Sequence, residues 1–452
     1  MHEITEHLVK NFEGQLPHLP GSDLNWVEAM RRSGLELFND VGLPNTKMEE
    51  WKYTRLRTLE DTRFQPVNEG NGAAKVDQLP TLFTGQKEIP RIVFVNGCLR
   101  TDLSDLDNLP DGVLVHSLSG SLAYDPVWVR SYLGRIGQMD SRPLFALNTA
   151  MMNSGAIVRV RKGVIVKSPI EMIFVAGLTN VPVAYYPRNL IVLEENSQAT
   201  LINIHDGLGV GPYFANSVTE VDVGNNANLR HYRVQTENLE ATHIGSMHVR
   251  VANEANYETF SMSAGGRLSR TEAFVRLEGE GAHCRVNGAY FMKGREHCDN
   301  TTVIEHVVPH TKCREVFKGV LDDEACGVFQ GKIIVHKDAQ KADGHQLSRA
   351  LLLSDKAEMD AKPELEIYAD DVKCSHGATS GQIDESALFY LRSRGIPDAL
   401  ARNMLIRSFM AEAFEEITDE KVRDAMANLF MHRLPAQCFL SEEWTRDKLS
   451  NE

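Results

Sequence analysis

The chain has 452 residues, 42% of them hydrophobic and 24% charged, and a formal net charge of −14. This length allows a large core and two or three domains. The acidic balance argues against a nucleic-acid surface as the main business of the protein. No run approaches the ~18 apolar residues that a membrane span requires. The start, MHEITEHLVKNFEG, lacks the apolar stretch of a signal peptide, so a cytoplasmic location is expected.

Residues 1–90 read as a helical, loop-rich domain. Trp26, Met30, Leu35 and Phe38 fall at roughly helical spacing, and Gly42–Leu43–Pro44 breaks that helix. Trp51, Tyr53, Leu56 and Leu59 follow in a mixed polar frame, and NEGNGAAK (68–75) reads as a loop. From Arg91 strand-like runs take over: RIVFV (91–95), AIVRVRKGVIV (156–166) and NLIVL (189–193). One or two helices are expected within 125–152.

The middle of the chain repeats. Turns ending in alanine recur as LEENSQATL, VGNNANL, VANEANY, LEGEGAHC, LDDEACG and LSDKAEM. Their alanines, Ala199, Ala227, Ala255, Ala282, Ala325 and Ala357, are separated by 28, 28, 27, 43 and 32 residues. A near-constant period with strands between the turns predicts a stacked coil in which each rung buries its apolar face against the next. The expected fold is mainly β, a right-handed parallel β-helix over 91–380 with helical regions on either side. On this reading the 43-residue interval is an insertion or an irregular rung. An antiparallel sandwich with chance turn similarity is the alternative.

Residues 381–452 return to helical periodicity. Leu388, Phe389 and Leu391 precede Gly395, a helix stop, and Pro397, which opens the next helix. Ala401, Met404, Leu405, Ser408, Phe409 and Phe414 form a stripe over 398–417. A third helix starts at Thr418 or Asp419 and carries Val422, Met426, Leu429 and Phe430. Three such helices either cap the coil or dock a partner.

Signatures of catalysis are missing. Gly327-Val-Phe-Gln-Gly331-Lys332-Ile333 has the wrong spacing for a phosphate-binding loop and lacks a hydroxyl residue after the lysine. No GxSxG or HExxH occurs, and in the pairs Asp322–Asp323 and Asp370–Asp371 adjacency on a strand would point the carboxylates to opposite faces, solvated turn acids being the favoured reading. Seven scattered cysteines without a CxxC support neither a disulfide framework nor a zinc finger. In His283–Cys284 and His297–Cys298, adjacency on a strand separates the two side chains. Lys341, Asp343, His345, Gln346 and Arg349 shape either a rung corner or a site, the corner being favoured. The segment 362–377, KPELEIYADDVKCSHG, reads as one extended acidic stretch ending in Cys374 and His376. At i and i+2 of a strand the two share a face, about 6.5–7 Å apart at the backbone. A thiolate beside an imidazole suits iron, zinc or an iron–sulfur cluster better than a hard cation, although two packing residues would look the same.

The run FQGKIIVHKDAQKADGHQLSRALLLSDKAEMDAKPELEIYADDVKCSHGATSGQIDESALFYLRSRGI (329–396) resembles the shared core of the SufB/SufD family of iron–sulfur cluster assembly proteins. GLPNTKMEEWKYTRL and the ADGHQ element lean towards the SufD branch, as does the missing cysteine-bearing extension usual in SufB. Ala350 departs from the asparagine of many members. The resemblance implies a non-catalytic scaffold subunit in a complex with SufB and two copies of the ABC-type ATPase SufC. A cysteine desulfurase would supply the sulfur. It implies a transient iron–sulfur cluster shared with SufB, with His376 at the cluster site, Cys374 beside it, and the strand 362–375 pairing with SufB. Leu388, Tyr390, Leu391, Met404, Leu405 and Phe409 fall in the region that contacts SufC in the family. A homodimer is open to the isolated chain, and no nucleic-acid or membrane partner is expected. The alternatives are a SufB-type or hybrid scaffold and a β-helix carbohydrate-active enzyme.

Overall fold

From Ile170 onward the chain passes back and forth between two sheets, with Val183–Tyr185 and Arg188–Leu193 lying together in one of them, and builds a parallel β-solenoid of about eight turns. The computed structural model describes residues 3–67, 74–86, 88–137, 139, 142–209 and 211–434. The last rungs are β1 (His283–Met292), β2 (His297–His306), β3 (Lys312–Leu321), β4 (Cys326–Val335), β5 (Asp343–Leu352), β6 (Glu358–Ile367) and β7 (Lys373–Gly381). Even-numbered strands belong to sheet I and odd-numbered strands to sheet II. At the N-terminal end each sheet closes with an antiparallel pair, Val113–Ser117 on Ala156–Val160 and Cys98–Leu99 on Arg91–Val95. At the other end β6 and β7 are the outermost strands, and each has one neighbour only.

The corner chemistry explains the alanine motif. Asn226, Glu254, Gly281 and Lys341 take left-handed backbone conformations immediately before the buried Ala227, Ala255, Ala282 and Ala342. A sharp corner needs one left-handed residue, which Asn and Gly adopt at least cost. The methyl that follows points into the lumen, where successive rungs leave room for little more. The 43-residue interval is neither an insertion nor an irregular rung. Ala282 precedes β1 on sheet II, whereas Ala325 precedes β4 on sheet I, so the motif moves to the opposite corner after one and a half regular turns. The sheet II corner continues through Thr311 and Ala342, which precede β3 and β5.

Helices cover the outer faces of both sheets. Helices α1 (Glu3–Gln15) and α2 (Asn25–Val41) lead a layer in which Phe12, Phe38, Trp51 and Leu56 pack on Tyr186, Phe214, Ile244 and Leu268 of the sheet I side. Gly42, at φ 74°, ends α2 where the sequence places the break. Buried charges lock this layer down. Asp299 accepts hydrogen bonds from Arg270 and from Thr54, and the Arg270 guanidinium lies 3.9 Å above the Trp51 ring. At the C-terminal end α3 (Glu385–Ser393), α4 (Asp398–Phe414) and α5 (Glu420–Arg433) lie on the flank of sheet II, with Phe414 against Phe260. They do not cap the coil. Among the described residues nothing covers the outer edges of β6 and β7 by strand pairing.

Candidate functional site

The stretch 362–377 is not one strand. β6 ends at Ile367, residues 368–372 form a corner, and β7 begins at Lys373 on the other sheet. The corner has a physical cause. Ala369 is buried in the lumen core, and Asp371 is tied to the preceding rung. Its carbonyl accepts from the Lys341 amide at 2.7 Å, and its own amide donates to Gln340 Oε1 at 3.0 Å. Lys362 and Cys374 therefore lie on different sheets.

On β7 the register sets Cys374 against Gly344, Ser375 against His345 and His376 against Gln346 of β5. Gly344 and Gln346 are buried and face the lumen, while His345 is exposed. Cys374 and His376 thus share the lumen-side face at the open end, Cys374 half-buried and His376 exposed. Burial pushes the Cys374 thiol up, and the backbone amide of Gly344 partly offsets the rise. On the outer face His345 Nδ1 lies 2.6 Å from Ser375 Oγ, and its Nε2 lies 2.8 Å from Asp343 Oδ1. His345, Asp343 and Ser375 clamp β7 to β5 from outside. Gln346, grouped with them by sequence, turns inward.

Cys374 also ends a column of lumen positions. Cys284, Cys313, Gly344 and Cys374 are successive in-register partners. His306 Nε2 lies 3.2 Å from Cys313 Sγ. Burial holds the thiols of Cys284 and Cys313 well above the ordinary range, so they are neutral packing groups rather than nucleophiles. Cys298 likewise faces the lumen, and its neighbour His297 faces out to meet Thr54 Oγ1 at 3.0 Å. Among the described residues no three His, Cys, Asp or Glu side chains gather to hold a metal ion. Two soft donors at an open edge are fewer than the four that an iron–sulfur cluster ordinarily takes from protein.

The C-terminal helices divide into a packed side and a bare side. Leu388 is buried, and Leu391, Leu405 and Phe409 pack against the cluster on the flank of sheet II. The Lys318 ammonium sits 4.8 Å from the Phe409 ring and donates to the Phe409 carbonyl at 3.2 Å. Tyr390 and Met404 are exposed by 57% and 43%, and Phe389, placed by sequence on an apolar face with Leu388 and Leu391, is the most exposed of the three at 73%. Helical position alone did not separate the packed residues from the exposed ones. A separate cavity of about 260 Å³ lies on the outer face of sheet I, between Trp51, Phe145, Phe274 and Lys332.

The family model described as "SUF system FeS cluster assembly, SufBD core domain" matches residues 175–409, and that described as "SufBD protein N-terminal region" matches 2–172. A SufBD family protein of Synechocystis is 32% identical over 396 residues, covering 86% of each chain. The iron–sulfur cluster assembly protein SufD of Escherichia coli is 32% identical over 87% of this chain and 90% of its own length. The chloroplastic protein ABCI7 of Arabidopsis thaliana is 29% identical over 93% of this chain and 89% of its own. With both parts of the chain matched and relatives aligned over most of their length, this protein belongs to the SufBD family of SUF-system iron–sulfur cluster assembly proteins.

Proposed function

We propose that this chain is the SufD-type scaffold subunit of a three-component assembly complex. It contributes His376, with Cys374 beside it, to an iron–sulfur cluster site completed by a SufB-type partner. The observation that carries this reading is the open edge of β7, which presents a half-buried thiol and an exposed imidazole on one face. An uncovered strand edge is a template for main-chain pairing with another chain, and pairing there brings the partner's donors next to His376. The cluster is cargo, built from delivered iron and sulfur. The part of the chain is to present His376 to it, with no bond-making step of its own.

The helices α3 and α4 support the second half of the proposal. Phe389 and Tyr390 on α3 and Met404 on α4 are exposed apolar side chains on a layer that is itself well packed, and such side chains suit docking of a SufC-type ATPase. Leu388, Leu391, Leu405 and Phe409 serve them from beneath, by fixing the helices to sheet II. Among the described residues no helix is long and apolar enough to cross a membrane, and the cytoplasm remains our proposed location.

The test is co-expression with SufB-type and SufC-type partners, followed by anaerobic reconstitution with ferrous iron and sulfide. Replacing His376 by Ala should leave the complex intact on gel filtration and abolish the cluster absorption. Full cluster yield from the variant complex would refute the assignment.

A further inference from the structure

The outer face of sheet II carries a basic hollow well back from the open edge. Two columns of in-register residues line it, on the strands Asn228–Gln235, Asn256–Ser263, β1 and β3. One column runs Arg230, Glu258, Arg285 and Arg314, and the other Asn228, Asn256, His283 and Lys312. Side chains two apart on a strand share a face about 6.5–7 Å apart, and in-register neighbours stand about 4.8 Å apart. His283, Arg285 and Lys312 therefore form a triangle of that size. A cavity of about 210 Å³ opens beside them, between Arg230, Glu258, His283, Arg285 and Thr418. A second hollow of about 400 Å³ shares Asn256 and His283 with it and reaches Lys312.

The loop between α4 and α5 takes up most of the charge in the first column. Arg230 Nε donates to Thr418 Oγ1 at 3.0 Å, and Arg314 donates twice to the Glu416 carboxylate, at 3.2 and 2.9 Å. Glu258 accepts from the Tyr232 hydroxyl at 2.6 Å and from the Thr418 amide and hydroxyl at 3.0 and 2.7 Å. Arg285 lies between Glu258 and Arg314 and is half-buried, yet its side chain has no hydrogen bond or ion pair among the described residues. Neither has the exposed Lys312 side chain. Burial first, and then the charges of Arg285 and Lys312, hold the His283 ring below the ordinary imidazole value, against Asp343 and Glu258. The two cations thus oppose a third positive charge at His283, and a negative charge among them would relieve that opposition. In a chain of formal net charge −14 such a hollow is not a by-product of a basic surface. The cavity on sheet I differs, because its Arg270, Lys332 and Lys362 are each paired with a carboxylate.

We propose that the hollow of His283, Arg285 and Lys312 binds a small free oxyanion of the phosphate or sulfate class. Arg285 offers the planar fork of N–H donors that suits such an anion. Lys312 adds a second charge, and the His283 ring adds a further N–H. Glu258, the carboxylate that lines the smaller cavity, is already engaged by Tyr232 and Thr418. With Arg230, Arg285 and Lys312 around it, the balance of the hollow stays positive. No bond is made or broken. The inference stands apart from the reading of His376, and the chain without partners suffices to test it.

The experiment titrates the full chain with inorganic phosphate, with sulfate and with chloride at matched ionic strength. Calorimetry gives the affinity, and the His283 ring resonance is followed by NMR from neutral to acid pH. Sulfate keeps its charge across that range and so serves the pH arm. Either oxyanion should bind, and sulfate should move the His283 titration upward, because a bound anion favours the charged ring. Sulfate binding should accordingly tighten as the pH falls. Arg285→Gln combined with Lys312→Gln removes both unpaired charges. It should keep the melting temperature and bind at least about tenfold more weakly. Should the double variant fail to fold, Lys312→Gln alone, at an exposed position, should still weaken binding and reduce the His283 shift. A His283 titration unmoved by sulfate would overturn the proposal. So would equal affinity in the variants, or a response to chloride as large as that to the oxyanions, which would mark diffuse screening rather than a site.

Discussion

The rings of Phe260 and Phe414 lie 5.2 Å apart, and through this contact α4 is pinned to the flank of sheet II. Phe430 of α5 completes the contact at 5.4 Å from Phe414. Because the helices are held on the side of the coil, its last rung stays open. The molecule thus offers a strand edge at its open end and exposed apolar side chains on its flanking helices.

Phe414→Ala should therefore loosen the helical layer and spare the coil. Truncating a buried phenylalanine costs about 3–5 kcal/mol. Hydrogen exchange should rise across α3 to α5 while strands such as β1 and β3 remain protected. Uniform loss of protection across the coil would show that the helices are integral to the solenoid rather than fixed to its flank.

Phe389, Tyr390 and Met404 should act on partner binding without touching the fold. Exposed aromatic anchors at interfaces commonly contribute on the order of 1–2 kcal/mol each. A chain with all three replaced by Ala should keep its melting temperature and bind a SufC-type ATPase at least about tenfold more weakly by calorimetry. Unchanged affinity would remove these side chains from the docking model.

Gly319 should tolerate no side chain. It is in register with Tyr290 on the neighbouring rung, and a Cβ there would stand 1.9 Å from the ring. Overpacking of this kind costs about 1–3 kcal/mol. Gly319→Ala should lower stability to denaturant by that amount, and wild-type stability would mean that the ring has somewhere else to go.

Glu315 should make stability depend on pH. Its folded-state pKa of about 8 lies above the ordinary carboxyl value, so the folded chain holds this proton more tightly than the unfolded one. The contribution is fully present in acid, below the ordinary carboxyl range, and is lost as pH rises through about 8. Glu315→Gln removes the titration. It should be more stable than the wild type above that pH, by on the order of a few kcal/mol, and similar to it in acid. Equal pH profiles for the two proteins, followed by urea unfolding, would contradict the burial of an ionisable carboxyl there.

The coil was legible because its corners are chemical. Polar turn residues such as Asn226, Glu254 and Gly281, each followed by an alanine, recur at the corners, so the repeat carried the architecture, although of the three only Asn and Gly favour the left-handed conformation all of them adopt. What the repeat concealed was which corner it marked. Ala282 and Ala325 look alike although they belong to opposite sheets, and only strand pairing separates them. The same blindness joined Lys362 to Cys374 in one strand, since the corner at 368–372 has neither Gly nor Pro and is set by ties to Lys341 and Gln340. The shared face of Cys374 and His376 followed from strand period alone. The column from Cys313 through Gly344 to Cys374 did not, because these residues lie about one turn of the solenoid apart and line up only through register. Buried pairs such as Arg188 with Glu220, 2.8 Å apart, were invisible for the same reason.

The proposed ligation by His376 of a cluster shared with a second chain is open to ligand exchange. In a complex carrying His376→Cys, a thiolate replaces the imidazole nitrogen at one position of the cluster. Imidazole ligation raises the reduction potential relative to thiolate, so the variant should assemble, load, and show a lower potential with an altered absorption spectrum. A loaded variant whose spectrum and potential match the wild type would mean that this imidazole does not touch the iron.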